Sequence, residues 1–149
     1  MSVNFSTSQA DVAENIIREH DALRHKVRAI HSVLSERDPN PGEIEALLRE
    51  FLNALVVHFA NEEDTGFFHK VAVQSPRLAE TAGRLSVEHR ELLHEAEELC
   101  RFAEAGAPSM PWWRELQTRC HNFNQRLMHH ESEEHHLLQH SHRTEINGV

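Results

Sequence analysis

Phe51-Leu-Asn-Ala-Leu55-Val-Val-His58-Phe-Ala-Asn-Glu62 places Phe51, Leu55, His58 and Glu62 at steps of four, three and four. Such steps put all four on one face of a helix. A second stretch, Phe123-Asn-Gln-Arg-Leu127-Met-His-His130-Glu-Ser-Glu-Glu134, repeats the pattern at a constant offset of 72 residues. In both, an apolar stripe runs into a histidine and then a glutamate. Imidazole and carboxylate on a core-facing stripe are costly to bury unless something binds them.

Two more stripes surround these. One runs through Val12, Ile16, His20, Leu23, Val27, Ile30 and Leu34, the other through Leu78, Ala82, Leu85, His89, Leu92, Ala96 and Leu99. Each carries a single histidine among apolar residues. Glu19-His20-Asp-Ala-Leu23-Arg-His25 resembles Glu88-His89-Arg-Glu-Leu92-Leu-His94, so the chain reads as two related helical hairpins.

Helix punctuation agrees. Ser6 to Ser8 offer caps for a first helix reaching about Arg37, and Asp38-Pro-Asn-Pro-Gly42 reads as a loop with Pro41 in a first turn. The second helix is expected to run unbroken to about Ala72. Ser75 caps the third and Pro76 opens it, and Gly106-Ala-Pro-Ser109 ends it and caps the fourth, which reaches about His140. Trp112 and Trp113 anchor the start of that helix, one inward and one at the edge. Helices of about 30 residues are about 45 Å long. Short loops make neighbours antiparallel, so the fold predicted is an all-α, up-down-up-down four-helix bundle spanning about residues 8–142 of a single domain. Counting along the antiparallel helices brings His20, His58, His89 and His130 close to one level.

Composition narrows the class. With 5 Gly, 5 Pro and no Tyr, and no long alternating stretch, no sheet is expected. A net charge of −9 argues against a nucleic-acid partner. No run of about 18 apolar residues exists to span a membrane, and the first residues lack the basic start and apolar core of a signal peptide. A cytoplasmic location is the expectation. Cys100 and Cys120 fall on apolar stripes and are read as buried, reduced thiols. Histidine is in excess: 14 residues, seven of them between His121 and His142.

Four imidazoles and two carboxylates at one level suit a metal centre. A carboxylate can bridge two cations, so Glu62 and Glu134 with four histidines would give each of two metals two nitrogens and two oxygens. Mixed ligation with open positions favours non-haem iron over manganese or zinc, and open positions imply dioxygen, peroxide or nitric oxide as the ligand.

The ordered set His20, His58-x-x-x-Glu62, His89 and His130-x-x-x-Glu134, with Glu19 and Glu88 before the lone histidines, resembles the hemerythrin-like family, also called the HHE cation-binding domain. The resemblance covers about residues 10–140. It implies a non-haem di-iron centre with His20, His58, His89 and His130 as terminal ligands and Glu62 and Glu134 as bridges. The oxygen carriers of the family have a fifth histidine where this chain has Leu93, which disfavours reversible oxygen carriage. His94 comes one residue late and points away from the core.

The other histidines are weighed against solvated alternatives. His129 and Glu133 offer a competing register, disfavoured by the stripe through Phe123 and Leu127. His25, His31, His94 and His121 are read as solvated, and His69 as polar lining at the bundle's end. The run His135, His136, His140 and His142 reads as a solvated, fraying helix end or a weak metal-binding tail. A ferritin-like carboxylate site, using Glu91 with His94 and Glu133 with His136, has the right spacing but the wrong faces. Three functions follow: a binder or sensor of dioxygen or nitric oxide; a peroxide-decomposing enzyme using Glu63 or Glu131 as a base; and an iron or nickel store. A homodimer or a separate signalling partner is compatible with each.

Overall fold

The computed structural model describes residues 9–106 and 109–146. The caps read at Ser6 to Ser8 and the side chain of His142 lie outside the described residues. Five helices and no strand are found among them: α1 (Gln9–Leu34), α2 (Pro41–Asp64), α3 (Phe67–Ala72), α4 (Pro76–Ala105) and α5 (Met110–Ile146). The long helices close a ring in which α1 packs on α2, α2 on α4, α4 on α5 and α5 on α1. This is the expected all-α bundle.

The expected caps are in place. Ser75 Oγ accepts the Leu78 amide at 3.1 Å, Ser109 Oγ accepts the Trp112 amide at 3.3 Å, and Pro41 and Pro76 sit in first turns. Asn40 caps α2 by accepting the Gly42 amide at 2.9 Å. Trp113 is buried with its indole N–H on the Leu34 carbonyl. Trp112 lies at the edge, stacked on Phe102.

Two boundaries differ from expectation. The second helix does not run to Ala72; it stops at Asp64, and Gly66 takes φ +71° before α3 begins. Thr65 and Gly66 turn their amides onto the Asn61 and Glu63 carbonyls, which closes the last turn of α2. The re-aimed α3 drives Phe67 and Val71 into the core against α4. The last helix, in turn, passes His140 and continues to Ile146.

The core has two apolar clusters. The larger holds Leu23, Leu55, Leu92 and Leu127. The smaller holds Ile16, Phe67, Val71, Leu85 and Leu137. His20 lies between Ile16 and Leu23 on α1, and His89 between Leu85 and Leu92 on α4. His58 with Glu62, and His130 with Glu134, occupy the same interval on α2 and α5. The polar residues therefore form a slab with apolar packing on both sides.

Candidate metal centre

Each of the six residues comes from a core stripe, so the packing that buries the leucines buries them too. His20, His58, Glu62, His89, His130 and Glu134 are each no more than 2 % exposed. Their ligating atoms fall into two sets: His20, His58, Glu62 and Glu134, and Glu62, His89, His130 and Glu134. Within each set the atoms lie within 4.8 Å of one another, and both sets share the two glutamates.

The inner atoms face each other without satisfying each other. His20 Nε2 lies 3.7 Å from both Glu62 Oε1 and Glu134 Oε1. His89 Nε2 is 3.3 Å from Glu62 Oε2, His130 Nε2 is 2.7 Å from Glu134 Oε1, and His58 Nε2 touches Glu62 Oε1. Yet none of the four Nε2 atoms and none of the four carboxylate oxygens has a hydrogen-bond partner. The approach is close, but the donor directions miss. An unsatisfied buried polar atom costs about 1–3 kcal/mol, and eight converging on one space is an arrangement a cation resolves. The donor set, imidazole nitrogen with carboxylate oxygen, fits a transition metal.

The outer nitrogens are held from behind. Glu19 accepts from or faces His58 Nδ1 at 2.6 Å, and Glu88 does the same for His130 at 2.9 Å. Each of these glutamates immediately precedes a lone histidine and reaches across its own hairpin. Glu63 Oε1 lies 3.4 Å from His89 Nδ1, and His135 Nε2 lies 3.1 Å from His20 Nδ1. With every Nδ1 engaged outward, every Nε2 is turned toward the slab's centre. Such outer partners fix the tautomer and orientation of ligating imidazoles.

The two glutamates behave as a coupled pair. Burial pushes the Glu62 carboxyl up, but the neighbouring Glu134 carboxyl and the imidazoles of His20, His58 and His89 outweigh it and hold Glu62 well below the ordinary range. Burial, then the neighbouring Glu62 carboxyl and its charge, raise Glu134 well above that range. The opposite directions leave the pair with one charge and one proton over the intervening pH range, and a cation would take the place of that proton. Burial lowers His58, while Glu62 and Glu19 raise it more, so the net direction is up. For His130 burial outweighs Glu88 and the net direction is down.

The halves are not equivalent. The 72-residue offset carries Phe59 onto Glu131. Phe59 stacks on His89 with ring centroids 4.0 Å apart, and Phe68 meets the same imidazole edge-on. Glu131 is 1 % exposed, both its oxygens lack hydrogen bonds, and Arg24 Nε approaches Oε2 at 3.3 Å. Burial raises the Glu131 carboxyl against the pull of His20, Arg24 and His58. His20 is backed by the stacked ring of His135. One pair of histidines thus has an aromatic wall and the other a polar one.

Several expectations are corrected. His69 lies exposed on α3, because the turn at Gly66 rotates it off the stripe. His135, read as part of a solvated tail, packs on His20 because α5 stays helical past it. Glu63 stands outside, behind His89, where it orients the ring and does not reach the slab. The outward registers stay outward: His129, its side chain 76 % exposed, pairs with Glu133, and His94 pairs with Glu98. Neither ferritin-like pair reaches the slab. Cys100 and Cys120 are both free, Cys100 buried and Cys120 half-buried. The sequence reading had no role for Glu19, Glu88 or Arg24; their position one residue before, or four after, a core histidine was the available signal. No described helix is long and apolar enough to cross a membrane.

Neither the curated proteins nor the solved structures contain a significant match to the chain. The model of the Hemerythrin HHE cation binding domain family matches residues 11–141. With that match over most of its length, and a His/Glu slab able to hold a metal, this chain belongs to the hemerythrin HHE cation-binding family.

Proposed function

We propose that the slab holds two non-haem irons and binds or senses a small ligand, dioxygen or nitric oxide. His20 and His58 would hold one iron and His89 and His130 the other, with Glu62 and Glu134 offering oxygens to both. The observation that carries this reading is the pair of overlapping four-residue sets sharing both glutamates. A single ion would leave one imidazole pair buried and unsatisfied. Iron would supply redox chemistry and open positions for an exogenous ligand; the protein supplies orientation and dryness. Glu19, Glu88, Glu63 and His135 aim the imidazoles, and the two apolar clusters keep bulk water from the slab. Leu93, half-buried against the larger cluster, stands where the oxygen carriers place a further histidine, which favours sensing over carriage. Manganese or zinc suits the donor set less well.

Anaerobic purification with metal analysis and optical spectra tests this. The expected result is two irons per chain and a charge-transfer band that changes on adding dioxygen or nitric oxide. One zinc and no iron would sink the proposal.

A second reading, peroxide decomposition, rests on Glu131, a buried carboxyl without a hydrogen bond beside His20 and His58. It predicts oxygen release from peroxide that falls at least tenfold in Glu131→Gln while iron content holds. Release unchanged in that variant counts against it.

A further inference from the structure

A hollow lies away from the slab, in the seam between α1 and α5. It has a volume of about 450 Å³, within the range of small-molecule sites. Ile30, Leu48, Phe51, Leu99 and Phe123 make its floor. All five are buried, and Phe51 and Phe123 meet edge-to-face with centroids 5.8 Å apart. Phe51 and Phe123 each stand seven residues, two helical turns, before the slab's His58 and His130. The leucine layer of Leu23, Leu55, Leu92 and Leu127 lies between, so the hollow is separate from the metal centre.

Its mouth has a distinct chemistry. Arg28, His31 and His121 stand there, and all three are exposed. No Asp or Glu lines the hollow, although the chain has 24 of them and a net charge of −9. Arg28 makes no ion pair among the described residues. An apolar floor with a basic, carboxylate-free mouth matches an amphipathic anion, tail inward and head at the guanidinium. From Val27 to Leu34 the hollow follows eight residues of α1, a rise of about 10 Å, which suits a chain of about eight carbons.

We infer that this hollow is a binding site for a medium-chain aliphatic carboxylate, held by Arg28 at the mouth and by Phe51 and Phe123 at the floor. The inference is independent of which metal fills the slab.

Calorimetric titration of the metal-loaded full chain with butanoate, hexanoate, octanoate and decanoate tests it, with octanol as the uncharged control. Burial of each added methylene is expected to tighten binding about fourfold until the hollow is full. Octanoate should bind at least tenfold tighter than octanol, and Arg28→Glu should remove that difference. Val27→Trp, which fills the hollow, should abolish binding with metal content unchanged. If Val27→Trp does not fold, alkylation of Cys120 in the parent protein replaces it. Cys120 lines the hollow, and octanoate should slow its modification at least tenfold. Absence of saturable binding, equal affinity for octanol, binding that survives Val27→Trp, or Cys120 modification unaffected by octanoate would each overturn the inference.

Discussion

His58 is held from behind at Nδ1 by Glu19, while its Nε2 faces Glu62 without a hydrogen bond. The same division of labour at His130, His89 and His20 separates residues that would touch a metal from residues that aim them. Glu62 and Glu134 belong to both four-residue sets, so Glu62→Ala is expected to lose both ions, whereas Glu19→Ala should retain them with affinity weakened about 10–100-fold. Metal titration of the two variants separates these outcomes. Glu131 makes a different point. A buried carboxyl without hydrogen bonds is a cost to the metal-free fold, so Glu131→Leu is expected to stabilise that form by about 1–3 kcal/mol in urea unfolding. A loss of stability would mean that Arg24 satisfies the carboxylate better than its geometry indicates. The six core residues were legible because each interrupts a period of three and four. Glu19 and Glu88 were not assigned, because a residue one step off the stripe shows its role only when the facing helix is in place.

At the scale of the element, the turn between α2 and α3 is the main departure from simple periodicity. Phe51 through Glu62 promised a continuing stripe, and nothing local forbade one until Gly66. A single glycine inside a helical pattern is ordinarily tolerated. Here the left-handed φ falls at Gly66, one turn after Glu62, so α3 can tilt Phe67 and Val71 over the slab. No atom stands within 4 Å of where a Cβ would sit on Gly66, so the penalty of a side chain there is conformational alone. Gly66→Ala is therefore expected to cost about 1 kcal/mol in urea unfolding, and Gly66→Asn less, since Asn tolerates left-handed backbone better. Equal stability of all three proteins would show that α2 and α3 can merge into the continuous helix that periodicity predicts. The opposite failure of local signals occurs at the other end of the chain. The run from His135 to His140 reads as a solvated, fraying helix end, but Leu137 is buried in the smaller cluster and carries α5 onward.

For the molecule as a whole, the slab couples protonation, metal and stability. Glu134 has a folded-state value above its unfolded one, so the folded chain holds an extra proton between those values; the associated stability is lost as pH rises through that window. Glu131 and His58, also raised, act in the same direction. His130 and His135 are lowered and oppose them, each contributing stability as pH rises toward its ordinary value. Three groups against two, with Glu134 raised well above its ordinary range, give a net expectation. The metal-free protein should melt several degrees lower at about pH 8 than at about pH 5, and metal loading, which replaces the shared proton, should shrink or reverse the difference. Differential scanning calorimetry with and without metal measures it; a metal-free midpoint that rises over that range would contradict the assignment of the shared proton.

What the sequence by itself determined is the helical periodicity, the caps at Ser75 and Ser109, the ring of four long helices and the six slab residues. Those follow from local spacing and from the cost of burying polar groups on apolar stripes. The tertiary structure alone decided that Gly66 breaks the second helix, that His135 rather than a carboxylate backs His20, and that Phe59 and Glu131 give the two halves different walls. Each of these depends on which side chain from another helix arrives at a given place. A one-dimensional pattern records which face a residue takes, but not its neighbour across the interface.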